Sequence, residues 1–127
     1  MASDRPTTKI IAGKYKGKIL ELPSLDVTRS SKARLKESLF NVLQFDIIDK
    51  IFIESFAGSG SIGLEAISRG AKRAYFIEKD RNSYQILLKN CKAVEMEKCQ
   101  TVQANTLVQT PLILDFLKSS KDEIVLY

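Results

Sequence analysis

Residues 51–70 read IFIESFAGSGSIGLEAISRG, and the fold turns on this stretch. Ile51-Phe52-Ile53 is a short apolar run of the kind that becomes a buried strand. Ala57-Gly58-Ser59-Gly60 is small and flexible. From Ser61, the spacing of Ile62, Ala66 and Ile67 at i, i+4 and i+5 predicts a helix, with Gly70 as its stop. Strand, glycine loop and helix, in that order, open a nucleotide-binding α/β unit. Glycines let the backbone turn sharply and come close to a ligand. The helix start adds unpaired N–H groups and the positive end of a dipole.

Gly58, Gly60 and Gly63 also spell G-x-G-x-x-G. Alone the pattern is weak, since a plain βαβ turn uses glycines for tight packing only. A second strand-like run strengthens it: Ala74-Tyr75-Phe76-Ile77 ends in Glu78, about twenty residues after Gly58, where a carboxylate can accept both ribose hydroxyls of a nucleoside. Two cofactor classes use this geometry. Dinucleotide enzymes set the pyrophosphate on the helix start, whereas S-adenosylmethionine (SAM) enzymes set the amino-acid part of the cofactor near the loop. Glu54, four positions before Gly58, would repel a pyrophosphate and suits the cationic amine and sulfonium of SAM. The run Glu54-Ser55-Phe56-Ala57-Gly58-Ser59-Gly60 resembles the first motif of Rossmann-like methyltransferases.

The chain has 127 residues, enough for one modest domain with a core. Its apolar and charged fractions are ordinary for a globular protein. No apolar run approaches a membrane span, and no signal peptide is visible. Cys91 and Cys99 are not in a C-x-x-C arrangement and the chain has no histidine, which argues against a zinc site and for buried free thiols, the latter a pointer to the cytoplasm. The net charge of +5 is lopsided: residues 1–37 hold nine basic and four acidic side chains, while residues 38–127 hold eleven of each. A basic N-terminal part is an electrostatic footprint for a polyanion, most simply nucleic acid; a solvated basic surface is the plainer alternative.

Residues 1–8 read as a tail. Lys9–Ala12 and Lys18–Leu22 predict a β-hairpin whose tip, Gly13-Lys14-Tyr15-Lys16-Gly17, is basic. Tyr15 could stack on a base while Lys14, Lys16 and Lys18 hold phosphates, or could be an ordinary loop tyrosine. A helix follows, capped by Ser30 or Ser31, with Leu35, Leu39 and Val42/Leu43 on one face. Arg29, Lys32, Arg34 and Lys36 sit near its start, where positive charge opposes the dipole, so a role beyond helix stability is expected. Beyond the central unit, Asp80 can cap a helix from Arg81 to about Ala93, with Tyr84, Leu87, Leu88 and Cys91 inward. Gln100–Ala104 predicts a third strand, followed by Asn105-Thr106, where an amide could read an adenine edge or simply make a turn. Thr110-Pro111 predicts a cap and first-turn proline opening a short helix with Ile113, Phe116 and Leu117 inward. Ile124–Tyr127 predicts a fourth strand, left as an apolar edge, so that the chain is expected either to self-associate through it or to be marginally stable.

Two segments together resemble one family. Lys9-Ile10-Ile11-Ala12-Gly13-Lys14-Tyr15-Lys16-Gly17-Lys18 resembles the N-terminal hairpin of RsmD-type bacterial 16S rRNA guanine-N2 methyltransferases. Arg29-Ser30-Ser31-Lys32-Ala33-Arg34-Leu35-Lys36-Glu37-Ser38-Leu39-Phe40-Asn41 is similar to that family's R-P-T-x-D-R-V-R-E-x-L-F-N segment, departing at Ser30, Ser31, Ala33 and Lys36. Glu54–Gly63 and Glu78-Lys79-Asp80-Arg81 match as well, and the similarity runs over about residues 9–127. The resemblance implies methyl transfer from SAM to a guanine exocyclic amine of small-subunit ribosomal RNA. It places the cofactor on Glu54, Phe56, Ala57, Gly58, Ser59, Gly60, Glu78, Lys79, Asn105 and Thr106, and RNA on Lys14, Tyr15, Lys16, Lys18, Arg29, Arg34 and Lys36. Such enzymes hold the target amine with an Asp/Asn-Pro-Pro-aromatic motif after the fourth strand, stacking the ring on the extruded base. These 127 residues contain no such motif.

The expectation is therefore an α/β, Rossmann-like SAM-dependent methyltransferase fold of about four sheet strands. It comprises an N-terminal hairpin and helix (residues 9–45), basic and expected to contact RNA, and a cofactor-binding half-domain (46–127). The chain is expected to be the cofactor-binding part of a longer cytoplasmic enzyme, inactive alone, with ribosomal RNA or a small-subunit assembly intermediate as partner. The alternatives are an NAD(P)-dependent oxidoreductase fragment and a non-enzymatic RNA-binding module.

Overall fold

The computed structural model describes residues 6–23 and 46–127. The helix expected after Ser30 lies outside the described residues, as do Arg29, Arg34 and Lys36. Two strands, β1 (Thr7–Lys9) and β2 (Ile19–Glu21), pair antiparallel with Thr8 opposite Leu20. A parallel sheet holds β3 (Ile51–Glu54), β4 (Arg73–Glu78), β5 (Cys99–Gln103) and β6 (Ile124–Leu126) in the order β5–β4–β3–β6. Helices α1 (Ser61–Ser68), α2 (Arg81–Val94) and α3 (Thr106–Leu117) connect its strands in turn.

Every residue of β3 is buried, as expected of a strand covered on both faces. The two-residue period divides the core. Phe52 and Phe76 pack with Leu64, Ala66 and Ile67 of α1, Leu87 and Cys91 of α2, and Ile10 and Leu20 of the hairpin. Ile51, Ile53, Tyr75 and Ile77 face the other way, onto Ile113 and Leu117 of α3. Full burial of one such side chain contributes about 1.5–3 kcal/mol. The hairpin thus shares a core with the sheet. The third glycine of the fingerprint has a packing reason: a Cβ on Gly63 would lie 2.3 Å from the Phe76 ring.

Several elements depart from the sequence reading. Strand β1 begins at Thr7, within the stretch read as a tail, and ends at Lys9. The amides of Ile11 and Ala12 turn instead to the Glu65 carboxylate, at 2.9 and 3.1 Å, so no strand continues there. Helix α3 opens four residues before Thr110. Asn105 caps it by accepting the Leu107 N–H at 2.8 Å, and Pro111 falls inside the helix, where it lacks the N–H that would have reached Leu107. Thr110, expected as the cap, has its hydroxyl buried with no hydrogen-bond partner. Phe116, expected inward, is 75 % exposed beside Val108 and Leu112, because starting the helix at Thr106 turns Ile113 and Leu117 to the sheet.

Candidate cofactor cleft and the docked hairpin

At the C-terminal end of β3 the chain makes a loop held by groups from neighbouring strands. Ala57 N–H donates to the Ile77 carbonyl at 3.0 Å. Gly58 N–H donates to Glu78 Oε1 at 2.8 Å, and Glu78 Oε2 accepts the Asp80 N–H at 2.8 Å. Gly60, at φ +83°, is the residue before α1, a left-handed conformation that a Cβ would oppose. Under the loop, Glu54 is 2 % exposed and its Oε1 accepts the Gly63 N–H at 2.9 Å. One of the helix-start amides open to an anionic ligand is therefore already held by a carboxylate. Thr106 Oγ1 donates to the Ser55 carbonyl, tying α3 to the same loop.

These elements border a cleft of about 300 Å³ lined by Phe56, Ile77, Glu78, Lys79, Asn105, Thr106 and Leu107. That is the lower end of the range for small-molecule sites, roughly 300–1,000 Å³. Its rim carries two apolar side chains turned to solvent, Phe56 and Leu107. It stands outside the C-terminal ends of β3, β4 and β5, where open α/β sheets bind ligands. Asp80, which starts α2 by accepting the Ser83 N–H at 2.9 Å, has its carboxyl held below the usual range by that bond.

The hairpin loop lies at the other end of α1. Lys14 N–H donates to the Ser68 carbonyl at 2.8 Å, Tyr15 N–H to Ser68 Oγ at 2.9 Å, and Ser68 Oγ to the Ala12 carbonyl at 2.7 Å. A Cβ on Gly13, at φ +92°, would sit 2.0 Å from the Ser68 oxygen, so only glycine permits this approach. Glu65, wholly buried, binds Ile11, Ala12 and the Arg69 Nε at 2.8 Å. The Tyr15 hydroxyl donates to Glu95, just past α2, and its ring packs on the core. Lys14 lies 3.8 Å from Glu95 and 5.4 Å from the Tyr15 ring centre, with its side chain 72 % exposed; Lys16 and Lys18 are exposed. The structure thus gathers Phe56, Glu78, Lys79, Asn105 and Thr106 at one cleft and puts Lys14, Tyr15 and Lys16 at the opposite end of α1.

Sequence reasoning missed Glu65, Ser68, Asn90 and Glu95, the polar side chains that dock the hairpin. Their signal was present: a glutamate between Leu64 and Ala66, and an asparagine beside Cys91, interrupt apolar helix faces. Cys91 and Cys99 are buried free thiols, and hydrogen bonding to Cys99, then burial, push the Cys91 thiol up, away from nucleophilic chemistry. Among the described residues no group of three or more His, Cys, Asp or Glu could hold a metal ion, and no helix is long and apolar enough to cross a membrane.

Comparison with known proteins agrees with this architecture. The chain is 38% identical over 115 residues to ribosomal RNA small subunit methyltransferase D of Haemophilus influenzae, covering 91% of this chain and 57% of that one. It is 38% identical over 99 residues to the protein of the same name from Escherichia coli K12, covering 78% and 50%. The solved structure of yhhF from Escherichia coli superposes with a TM-score of 0.71 at 37% identity, over 80% of this chain and 55% of that one. The chain spans about half the length of the curated relatives it matches. The model of the family described as conserved hypothetical protein 95 matches residues 8–121, hairpin and glycine loop together, and the chain belongs to that family, as its RsmD-like segments anticipated.

Proposed function

We propose that this chain forms the cofactor-binding part of a SAM-dependent methyltransferase acting on a guanine exocyclic amine of small-subunit ribosomal RNA in the cytoplasm. The observation that carries the reading is the pair of carboxylates around the glycine loop. Glu54 occupies the Gly63 amide at the start of α1, where a dinucleotide would need room for pyrophosphate, and Glu78 faces the loop from the end of β4. A negative charge at the helix start disfavours a phosphate and favours a cationic ligand. The cleft residues fit the nucleoside part of SAM: Glu78 can accept ribose hydroxyls while retaining its backbone donors, since a carboxylate offers about four acceptor sites. Phe56 and Leu107 offer apolar surface to a purine, and the Asn105 amide group, whose oxygen serves Leu107, leaves its N–H₂ for a ring nitrogen. When bound, SAM supplies an electrophilic methyl group; the chain's part is to hold and orient it. The names borne by the relatives support small-subunit ribosomal RNA as the substrate class.

Calorimetry tests this directly: SAM or its demethylated product is expected to bind more tightly than NAD, and tighter NAD binding would return the oxidoreductase reading. For RNA, the exposed lysines of the hairpin are proposed to hold phosphates without reading sequence. Engaging three to five phosphates of a single strand gives a log–log salt slope of roughly −2 to −3.5. Reversing the charge at Lys14, Lys16 and Lys18 should weaken binding and flatten that slope; unchanged affinity would assign RNA contact elsewhere.

A further inference from the structure

Asn90 lies on α2 and is 3 % exposed. Its Oδ1 accepts the Glu21 N–H at 3.0 Å, and its Nδ2 donates to the Glu21 carbonyl and to the Ser59 carbonyl, both at 2.9 Å. Both amide hydrogens are engaged, so the orientation is determined: a flip would set Nδ2 against an N–H and Oδ1 against two carbonyls. Glu21 ends β2, and Ser59 lies between the two glycines of the loop. One turn earlier on α2, Leu87 stands 2.5 Å from where a Cβ on Gly60 would be. From the other side Glu78 holds Gly58. The glycine loop is therefore gripped between a carboxylate that borders the cleft and an amide that is also bonded to the hairpin.

We propose that Asn90 is a positioning residue that couples the hairpin to the glycine loop. Seating of β1 and β2 sets the loop's geometry, and through it the affinity of the cleft. On the function proposed above, an RNA strand on the hairpin and a cofactor in the cleft then bias one another by the same factor in both directions. Only the RNA half of this statement rests on that function; the coupling of hairpin to loop does not. The competing route is α1, which starts at the loop and ends under the Gly13 turn.

A double-mutant cycle separates the two routes. Gly13→Ala forces the turn off Ser68 at a point remote from the cleft. By native-state hydrogen exchange on the ligand-free chain, this change should speed exchange at the Gly58 and Gly60 amides about tenfold relative to Tyr75 and Phe76 in β4. In an Asn90→Leu background Gly13→Ala should add nothing at those amides. If Asn90→Leu does not fold, Asn90→Asp takes its place, since it keeps the acceptor for Glu21 and loses both donors. A tenfold effect that persists without Asn90 assigns the coupling to α1 and overturns the proposal, as does a glycine loop indifferent to Gly13→Ala. Calorimetry of SAM with and without poly(U) then reads the RNA half, which should raise affinity in the native chain and not in the Asn90 variant; equal affinities in the native chain overturn that half. Failure of SAM to bind at all would overturn the proposed function and leave the exchange result to decide the coupling.

Discussion

The two ends of α1 solve the same problem in different ways. At its start, an amide of the glycine loop and one of the first turn of α1 are held by carboxylates 20 and 9 residues away, Glu78 to Gly58 and Glu54 to Gly63, and the surface beyond them is a cleft. At its end, backbone amides of another glycine-containing loop are held by Glu65 and Ser68, more than fifty residues away in sequence, and the surface is closed by packing. Both ends use buried acceptors for unpaired N–H groups, and both need glycine for close approach. They differ in what remains outside the loop. A carboxylate whose acceptors are taken by protein donors on every side is a structural anchor, and one bordering a cavity is a candidate ligand site.

The sharpest way to break this comparison is at Glu65. Glu65→Ala would leave the Arg69 guanidinium and two backbone amides without this acceptor, and removing one partner of a buried pair costs about 3–5 kcal/mol. Urea denaturation should show that loss; a drop below about 1 kcal/mol would mean the hairpin is not anchored there. Glu78→Ala should instead act on ligand: a hydrogen bond to a charged group contributes about 1.5–3 kcal/mol, so SAM affinity should fall roughly ten- to a hundred-fold in calorimetry. A variant that binds SAM normally but melts early would move Glu78 into the anchor class. Ser68→Ala removes one acceptor and one donor at the docked turn, and should lower stability by about 1–2 kcal/mol, with any change in SAM affinity reaching the cleft through Asn90.

The smallest effect is pH-dependent. The Tyr15 hydroxyl bonded to Glu95 holds the Glu95 carboxyl below its ordinary range, and the same bond raises the Tyr15 phenol. For Glu95 the folded value is depressed, so its contribution is present above the unfolded carboxylate value and is lost as pH falls through the folded one. For Tyr15 the folded value is raised, so its contribution is present below the unfolded phenol value and is lost as pH rises through the folded one. Melting temperature against pH should therefore carry a shallow decline at each extreme; Tyr15→Phe should abolish the alkaline one and reduce the acid one, since Lys98 and Lys14 also hold the Glu95 carboxyl down. Profiles identical in the native chain and the variant would show that the bond does not contribute in solution.

Much of the fold was legible because periodicity is a local property. The run Ile51–Ile53, the spacing of Ile62, Ala66 and Ile67, and the Asp80 cap each depend on residues within one or two turns, and the structure has β3, α1 and α2 where those signals lie. The N-terminus of α3 was misread because two caps competed. Thr110-Pro111 is the stronger pair by composition, but Asn105 lies two residues beyond the end of β5 and sits where a strand must turn back over the sheet. The hairpin strands were misplaced because the donors of Ile11 and Ala12 find their acceptor on Glu65, and no local pattern carries a contact of that separation.

The amino-acid sequence by itself determined the order of elements, the glycine loop and the carboxylates flanking it, since each follows from backbone freedom, side-chain period and charge over short spans. Tertiary structure alone decided which acidic side chain anchors and which borders a cleft. It also turned the Gly13–Gly17 loop from a projecting tip into a docked one, and brought Glu21 to Ser59 through Asn90. The reason is physical. A buried N–H or carbonyl must find a partner, and which partner it finds depends on what the folded chain brings within 3 Å, a distance that sequence separation does not encode.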